Sequence, residues 1–457
     1  MRDAQGNAVS TASAQAAGAF DHAVAGYLGF RADTGVRLGP MLEADPGFGL
    51  GHVLKGCLLM APFDAALVPR AAESLDAARR CLSRGAATER ERAHAAALGH
   101  WVEGSVGGAL ADWEEILDEH PRDVLAFRLH HFNAFWSGRP DRMLASVERV
   151  VPFWPADLPG WGSVLGCRAF ANEECGDYVV AEAAGREALD LDPGDLWAAH
   201  AVAHVMEMQG RRGEGIGFLD GLERHWAGGN AITHHLWWHR ALFHLERREF
   251  AVALGLYDRR FRDLAAPLVR AMPDFTTDVQ NAASMLFRLE LQGVEVGGRW
   301  AELADKAEAR IGDWLSPFTL PHRMMALAAA GRWEAAARML EALREAGRGG
   351  NRMGPASGRE AAVLREAALP ACQAVLAHRR GDFAGAVAAL RPALGALPRL
   401  GGSHAQQDVL EQLFLHAAMR AGSTEDARTL LERVAGRRPV PPERRVGYAE
   451  AARRVAH

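Results

Sequence analysis

Histidines spaced four residues apart occur twice between Trp197 and Arg247, and they are the strongest chemical signal in the chain. The stretch WAAHAVAHVMEMQG carries His200, His204 and Glu207 at i, i+4 and i+7. The stretch HHLWWHRALFHLE carries His235 and His239 at i and i+4, with His234, Trp237, Trp238 and His244 around them. At about 100° per residue, positions 0, +4 and +7 of a helix fall within roughly 60° of one another and share a face. Three chemistries fit such a set. Neutral imidazoles at this spacing are workable ligands for a divalent metal, here His200, His204, His235 and His239. The same imidazoles beside Glu207, Asp278 or Asp408 could instead exchange protons with a bound small molecule, giving His200, His204, Glu207, His235 and His239 as candidate catalytic residues. A groove of His, Trp and Arg could also clasp an extended peptide or an acidic group without chemistry. The zinc-protease pattern HExxH is absent, so the spacing alone does not choose among the three.

The elements that must position these side chains read as helices. From Phe20 onward Ala, Leu, Arg and Glu dominate, apolar residues recur at i, i+3 and i+4, and no alternation lasts long enough for a sheet. Breaks recur every 12 to 20 residues, at Gly85-Ala86, Gly108, Pro121, Gly138, Gly176, Pro193, Gly210, Gly331 and Gly381. The segment GDYVVAEAAGREALDLDP, with Gly176, Tyr178, Ala181, Ala188 and Pro193, reads as the second half of a tetratricopeptide repeat. Related starts lie at Gly331 with Trp333 and Ala336, and at Gly381 with Phe383 and Ala386. REFAVAL at 248 to 254 has the aromatic and the alanine but lacks the glycine. The expected fold is therefore all-α: a right-handed α-solenoid of degenerate tetratricopeptide-like helical hairpins. Residues 1–16, small and polar, are expected to form a disordered tail, with 17–457 as a single domain.

In such a solenoid the first helix of each hairpin lines the inner face and the second forms the outer layer. Counting from each closing proline or forward to each Gly-x-aromatic break places His52, His130, His131, His200, His204, His235, His239 and His322 on first helices. Asp278, His404 and Asp408 fall on segments assigned to the same layer. A concave groove lined by these residues is the expected ligand site, with His52, His131, Trp238, Asp278, His322, His404 and Asp408 as its binding residues.

Composition narrows the rest. The chain has 457 residues, 49% hydrophobic and 24% charged, with a net charge of −5 and scattered arginines, so no footprint for nucleic acid appears. Five cysteines without a C-x-x-C pattern argue against a disulfide framework and a thiolate zinc site. The first twenty residues lack a signal pattern, and no apolar run reaches the ~18 residues of a membrane span. A soluble cytoplasmic protein is expected. GVEVGGRW at 293 to 300 follows no strand and is not a phosphate loop, and GRGGNRMGPASGRE at 347 to 360 reads as a solvated insertion.

Several longer stretches carry a resemblance. ATERERAHAAA, ADWEEILDEHPRDVLAF, VPFWPADLPGW, LWAAHAVAHVMEMQG, HHLWWHRALF, SMLFRLELQGVEVGGRW and GGSHAQQDVLEQL together resemble the tetratricopeptide repeat protein 38 family, from about Phe20 to the end of the chain. The resemblance implies a soluble, all-helical repeat protein and brings no activity with it. Its polar motif positions are matched here by His52, His131, His200, His204, Glu207, His235, Trp238, His239, Asp278, His322 and Asp408. His404 stands where some members carry Asn, and His234 and His244 do not match the pattern. The leading expectation is thus a repeat protein that binds a peptide or small ligand in a His/acid-lined groove. The alternative is an enzyme, with or without a divalent metal, acting on a small polar substrate.

Overall fold

The computed structural model describes residues 1–84, 87–348 and 358–455, so the Gly85-Ala86 break and most of the 347–360 insertion lie outside the described residues. Among the described residues the protein is all-α, and the only extended pairings are isolated bridges, Arg2 with Ala8 and Arg31 with Gly229. Helices follow one another as antiparallel hairpins of the tetratricopeptide type. Examples are Glu89–Val102 with Val106–Glu119, Trp161–Glu174 with Tyr178–Leu191, and Leu369–Arg379 with Phe383–Leu390.

The hairpins repeat because their turns do. In eight of them the first helix ends at a glycine with positive φ, at Gly104, Gly138, Gly176, Gly210, Gly293, Gly331, Gly381 and Gly422. That left-handed residue frees the chain to reverse at the helix end. Where the sequence lacks the glycine, Arg248 itself takes φ 62° after the Ile232–Glu246 helix. The break expected at Gly108 is instead at Gly104, and Gly108 lies inside the Val106–Glu119 helix. Starts are specified too. Thr88 with Glu91 and Ser403 with Gln406 form reciprocal capping boxes, and Asp123, Asp177 and Asp382 accept from the first turns they precede.

The chain divides into two compact units, Met1–Val202 with Arg224–Ile232, and Ala203–Glu223 with Thr233–His457. The division falls inside the Leu196–Met208 helix. In the first unit Trp113, Phe127 and Phe170 are fully buried; in the second Trp238, Phe243, Phe287 and Phe318 are. First helices are buried almost all round, which is why their small residues matter. Gly185 lies so close to the next hairpin that an added Cβ would stand 2.5 Å from a Val202 methyl.

The N-terminal residues differ from the expected loose tail. Thr11 donates to Asp45 at 2.6 Å, Ser10 to Glu91 at 2.9 Å, and Arg90 donates to the Ala8 carbonyl at 3.0 Å. Val9 is buried, and the first helix starts at Ala14. Small polar residues here pair with distant side chains instead of remaining solvated.

Candidate metal centre

Two helices bring the histidine pairs into place. Leu196–Met208 is started by Asp195, whose carboxylate accepts from the amides of Trp197 and Ala198 at 3.0 and 2.9 Å. Its alanines at 198, 199, 201 and 203 are fully buried and let neighbouring helices approach. Ile232–Glu246 begins where Asn230 accepts from the Ile232 amide at 3.0 Å.

Within the second unit, the metal-ligating atoms of His204, His235 and His239 lie within 4.8 Å of one another. All three side chains are buried. The His204 and His239 rings have centroids 4.4 Å apart at 60°, and those of His235 and His239 4.7 Å apart at 76°. His239 Nε2 faces His235 Nε2 across 3.3 Å. The other nitrogen of each ring turns outward: His239 Nδ1 to Glu207 Oε2 and His235 Nδ1 to Asn281 Oδ1, both at 2.9 Å. Trp238 stacks on His235 with centroids 5.1 Å apart and planes 11° apart, and so fixes the ring's orientation. Burial pushes the His235 imidazole down to about 3, so it is neutral at pH 7. Burial also pushes the Glu207 carboxyl up to about 7, against the charges of His204, Arg438 and Arg288.

His200 lies one turn before His204 on the same continuous helix and face. In the first unit its ring stacks on Trp197 at 4.6 Å and lies 5.1 Å from Phe170. His131 sits in the first unit among Phe127, Phe170 and Trp197, and burial drives its pKa well below the ordinary value. His52 is half-buried, with Nε2 2.9 Å from the Pro46 carbonyl. In the second unit His322 donates from Nδ1 to the Phe318 carbonyl at 2.9 Å. Asp278 pairs with His234 Nδ1 at 2.8 Å, so His234 is a buried partner and not a surface residue. His244 instead pairs with Glu249, at 2.5 Å. His404 opens the His404–Ala421 helix, and its carbonyl accepts from Arg438 at 2.7 Å. Thus His204, Glu207, His235, Trp238 and His239 gather into one cluster, and His322 and Asp278 do not join it.

Asp408 belongs to a second polar feature. A pocket of the second unit, partly open to solvent, is walled by Glu207, Arg288, Asp408, Arg438 and Arg445 together with apolar side chains. Asn281 and these arginines were not among the sequence candidates. Asn281 is signalled only by standing three residues after Asp278, and Arg288 by its apolar setting in MLFRLEL.

Comparison with known proteins adds little beyond the repeat class. No family model matches the chain. A 118-residue stretch, 25% of the chain, is 30% identical to cellulose synthase operon protein C of Pseudomonas fluorescens (strain SBW25), and spans 9% of that protein's length. Among solved structures, the human IFIT1 dimer with m7Gppp-AAAA aligns over 89% of this chain and 90% of that one, at 12% identity and a TM-score of 0.37. Naa15/Naa10 bound to HypK-THB aligns over 96% and 65%, at 12% identity and a TM-score of 0.25. Neither likeness bears on what this chain holds. Among the described residues no helix is long and apolar enough to cross a membrane.

Proposed function

We propose that this chain is a helical-repeat binding protein whose ligand site is built on a divalent transition-metal ion held by His204, His235 and His239. The facing Nε2 atoms carry the reading. A neutral imidazole has one N–H and one lone pair. His239 Nδ1 faces a carboxylate and His235 Nδ1 an amide oxygen, so the Nδ1–H tautomer of each ring turns Nε2 inward as a ligand atom. The two Nε2 atoms stand 3.3 Å apart, a spacing that a shared cation fits. Two nitrogens bonded at ~2.0–2.1 Å to a tetrahedral ion stand ~3.3 Å apart. Outer acceptors such as Glu207 and Asn281 are the usual companions of metal-bound histidines, because they fix the tautomer and raise the basicity of the ligand nitrogen. An all-imidazole set suits zinc, copper, nickel or cobalt better than calcium or magnesium.

Burial favours a small ligand over an extended peptide, since His204 and His239 are both fully buried. A second reading, metal-dependent catalysis on a small polar substrate, is favoured by the position of Glu207. It accepts from His239 and also walls the pocket of the second unit, so the cluster and the pocket share one residue. We further assign the chain to the tetratricopeptide repeat protein 38 family on its motifs, and to the cytoplasm on five cysteines of which none is paired.

Elemental analysis of protein purified without a histidine tag tests the metal. About one equivalent is expected in the wild type and none in the His204→Ala/His239→Ala variant; metal in neither form would sink the proposal.

A further inference from the structure

The pocket of the second unit has a charge balance of its own. Four guanidiniums, those of Arg212, Arg288, Arg438 and Arg445, wall it with three carboxylates, Glu207, Glu246 and Asp408. Asp408 alone is shared by three of the four. Arg445 stands 2.6 Å from it, Arg438 3.1 Å and Arg288 4.0 Å, while Tyr448 and Gln412 also donate to it, each at 2.6 Å. Glu246 is engaged by Arg212 at 2.9 Å, and Glu207 already accepts from His239. The lining thus sets four guanidiniums against three carboxylates, a surplus of positive charge. Arg445 is 7% exposed, and its Nη1 is buried with no hydrogen-bond partner. A buried N–H of a charged group left without an acceptor is costly, and native proteins rarely leave one so. An anion would supply that acceptor and offset the surplus charge.

The apolar part of the lining says which kind. Leu242, Leu245 and Val440 line the same pocket as the arginines. Inorganic anions would leave those side chains against water. A carboxylate presents two coplanar oxygens to a guanidinium fork and carries an apolar body of its own. We propose that this pocket binds a small organic carboxylate, its head on Arg445 and Arg438 and its hydrocarbon part against Leu242, Leu245 and Val440.

The inference goes beyond the metal reading and does not draw on it. Titration calorimetry of the full chain at low salt, with hexanoate and with inorganic phosphate as probes, tests it. Saturable hexanoate binding is expected, roughly tenfold or more tighter than phosphate and weakened roughly tenfold or more by Arg445→Gln. Val440→Trp, which fills the apolar part of the pocket and leaves every charge in place, should also abolish it, and decides the matter if Arg445→Gln does not fold. His204→Ala/His239→Ala should keep hexanoate binding while losing metal, so the two proposals fail separately. No saturable hexanoate binding by the wild type, phosphate bound as tightly as hexanoate, or unchanged hexanoate binding in a folded Arg445→Gln or Val440→Trp protein overturns the assignment.

Discussion

His235 and His239, one turn apart on one helix, point their Nε2 atoms at each other across 3.3 Å while their Nδ1 atoms face Asn281 and Glu207. An i, i+4 pair on a solvated face would spread its rings toward water. Here burial on every side and two outer acceptors force the rings inward, and that inward pairing of the Nε2 atoms is the basis of the metal reading. Removing an outer acceptor should therefore weaken the metal without removing a ligand. Glu207→Gln and Asn281→Leu are each expected to lower metal affinity by roughly 10- to 100-fold, measured by competition with a chromophoric chelator, with helix content unchanged.

His322 gives the second unit an acid limb of its own. Burial holds its imidazole down to about 4, against an ordinary value of 6.5. Between those values the unfolded chain binds the proton and the folded one does not, so stability is full above pH 6.5 and falls as pH drops toward 4. The loss amounts to ~3 kcal/mol at most. Urea unfolding at pH 7.5 and pH 5 should show a smaller difference for His322→Gln, which cannot titrate, than for the wild type.

Arg90 ties the N-terminal residues to the first unit. Its guanidinium donates to Asp123 at 2.5 Å and to the Ala8 carbonyl at 3.0 Å, and lies 3.4 Å from Asp3, all nearly buried. His94 reaches the same Asp123 at 2.8 Å. Burial alone would raise the Asp123 pKa; His94 and Arg90 together hold it far below the carboxylate range. Arg90→Met leaves two buried carboxylates short of a partner and is expected to cost roughly 3 kcal/mol. Limited proteolysis should then cut within residues 1–13, which in the wild type resist cleavage.

Arg248 occupies a hairpin turn where a long side chain stands at φ 62° in place of a glycine. The residue is exposed, so only backbone strain is at stake. Arg248→Gly should stabilise the protein by roughly 0.5–1 kcal/mol, the left-handed penalty less the entropy glycine loses on folding. A rise in the thermal midpoint checks it.

Much of the repeat was legible because it depends on local chemistry. Gly176, Gly331 and Gly381 mark turns that only positive φ allows, and Pro193 closes a unit, so first and second helices can be told apart in the sequence. The convergence of His204 with His235 and His239 followed from that assignment plus helical spacing. Partners supplied across long sequence distances were not legible. Ser10 and Glu91 are 81 residues apart, and a short polar segment that docks through such pairs has the composition of a loose tail. Arg445 lies in the run RRPVPPERR, which reads as solvated charge until Asp408 and Tyr448 close around it. The burial of His204, His235 and His239 was not legible either, because groove-lining and buried side chains share the same helical spacing.

Anomalous diffraction from crystals of the tag-free protein, at the absorption edge of whatever metal copurifies, tests the metal centre most directly. The account predicts a single peak ~2.0–2.1 Å from both His235 Nε2 and His239 Nε2, with His204 completing the contact. No peak there, with the Asn281 amide turned about and an N–H···N hydrogen bond joining the two rings, would contradict it.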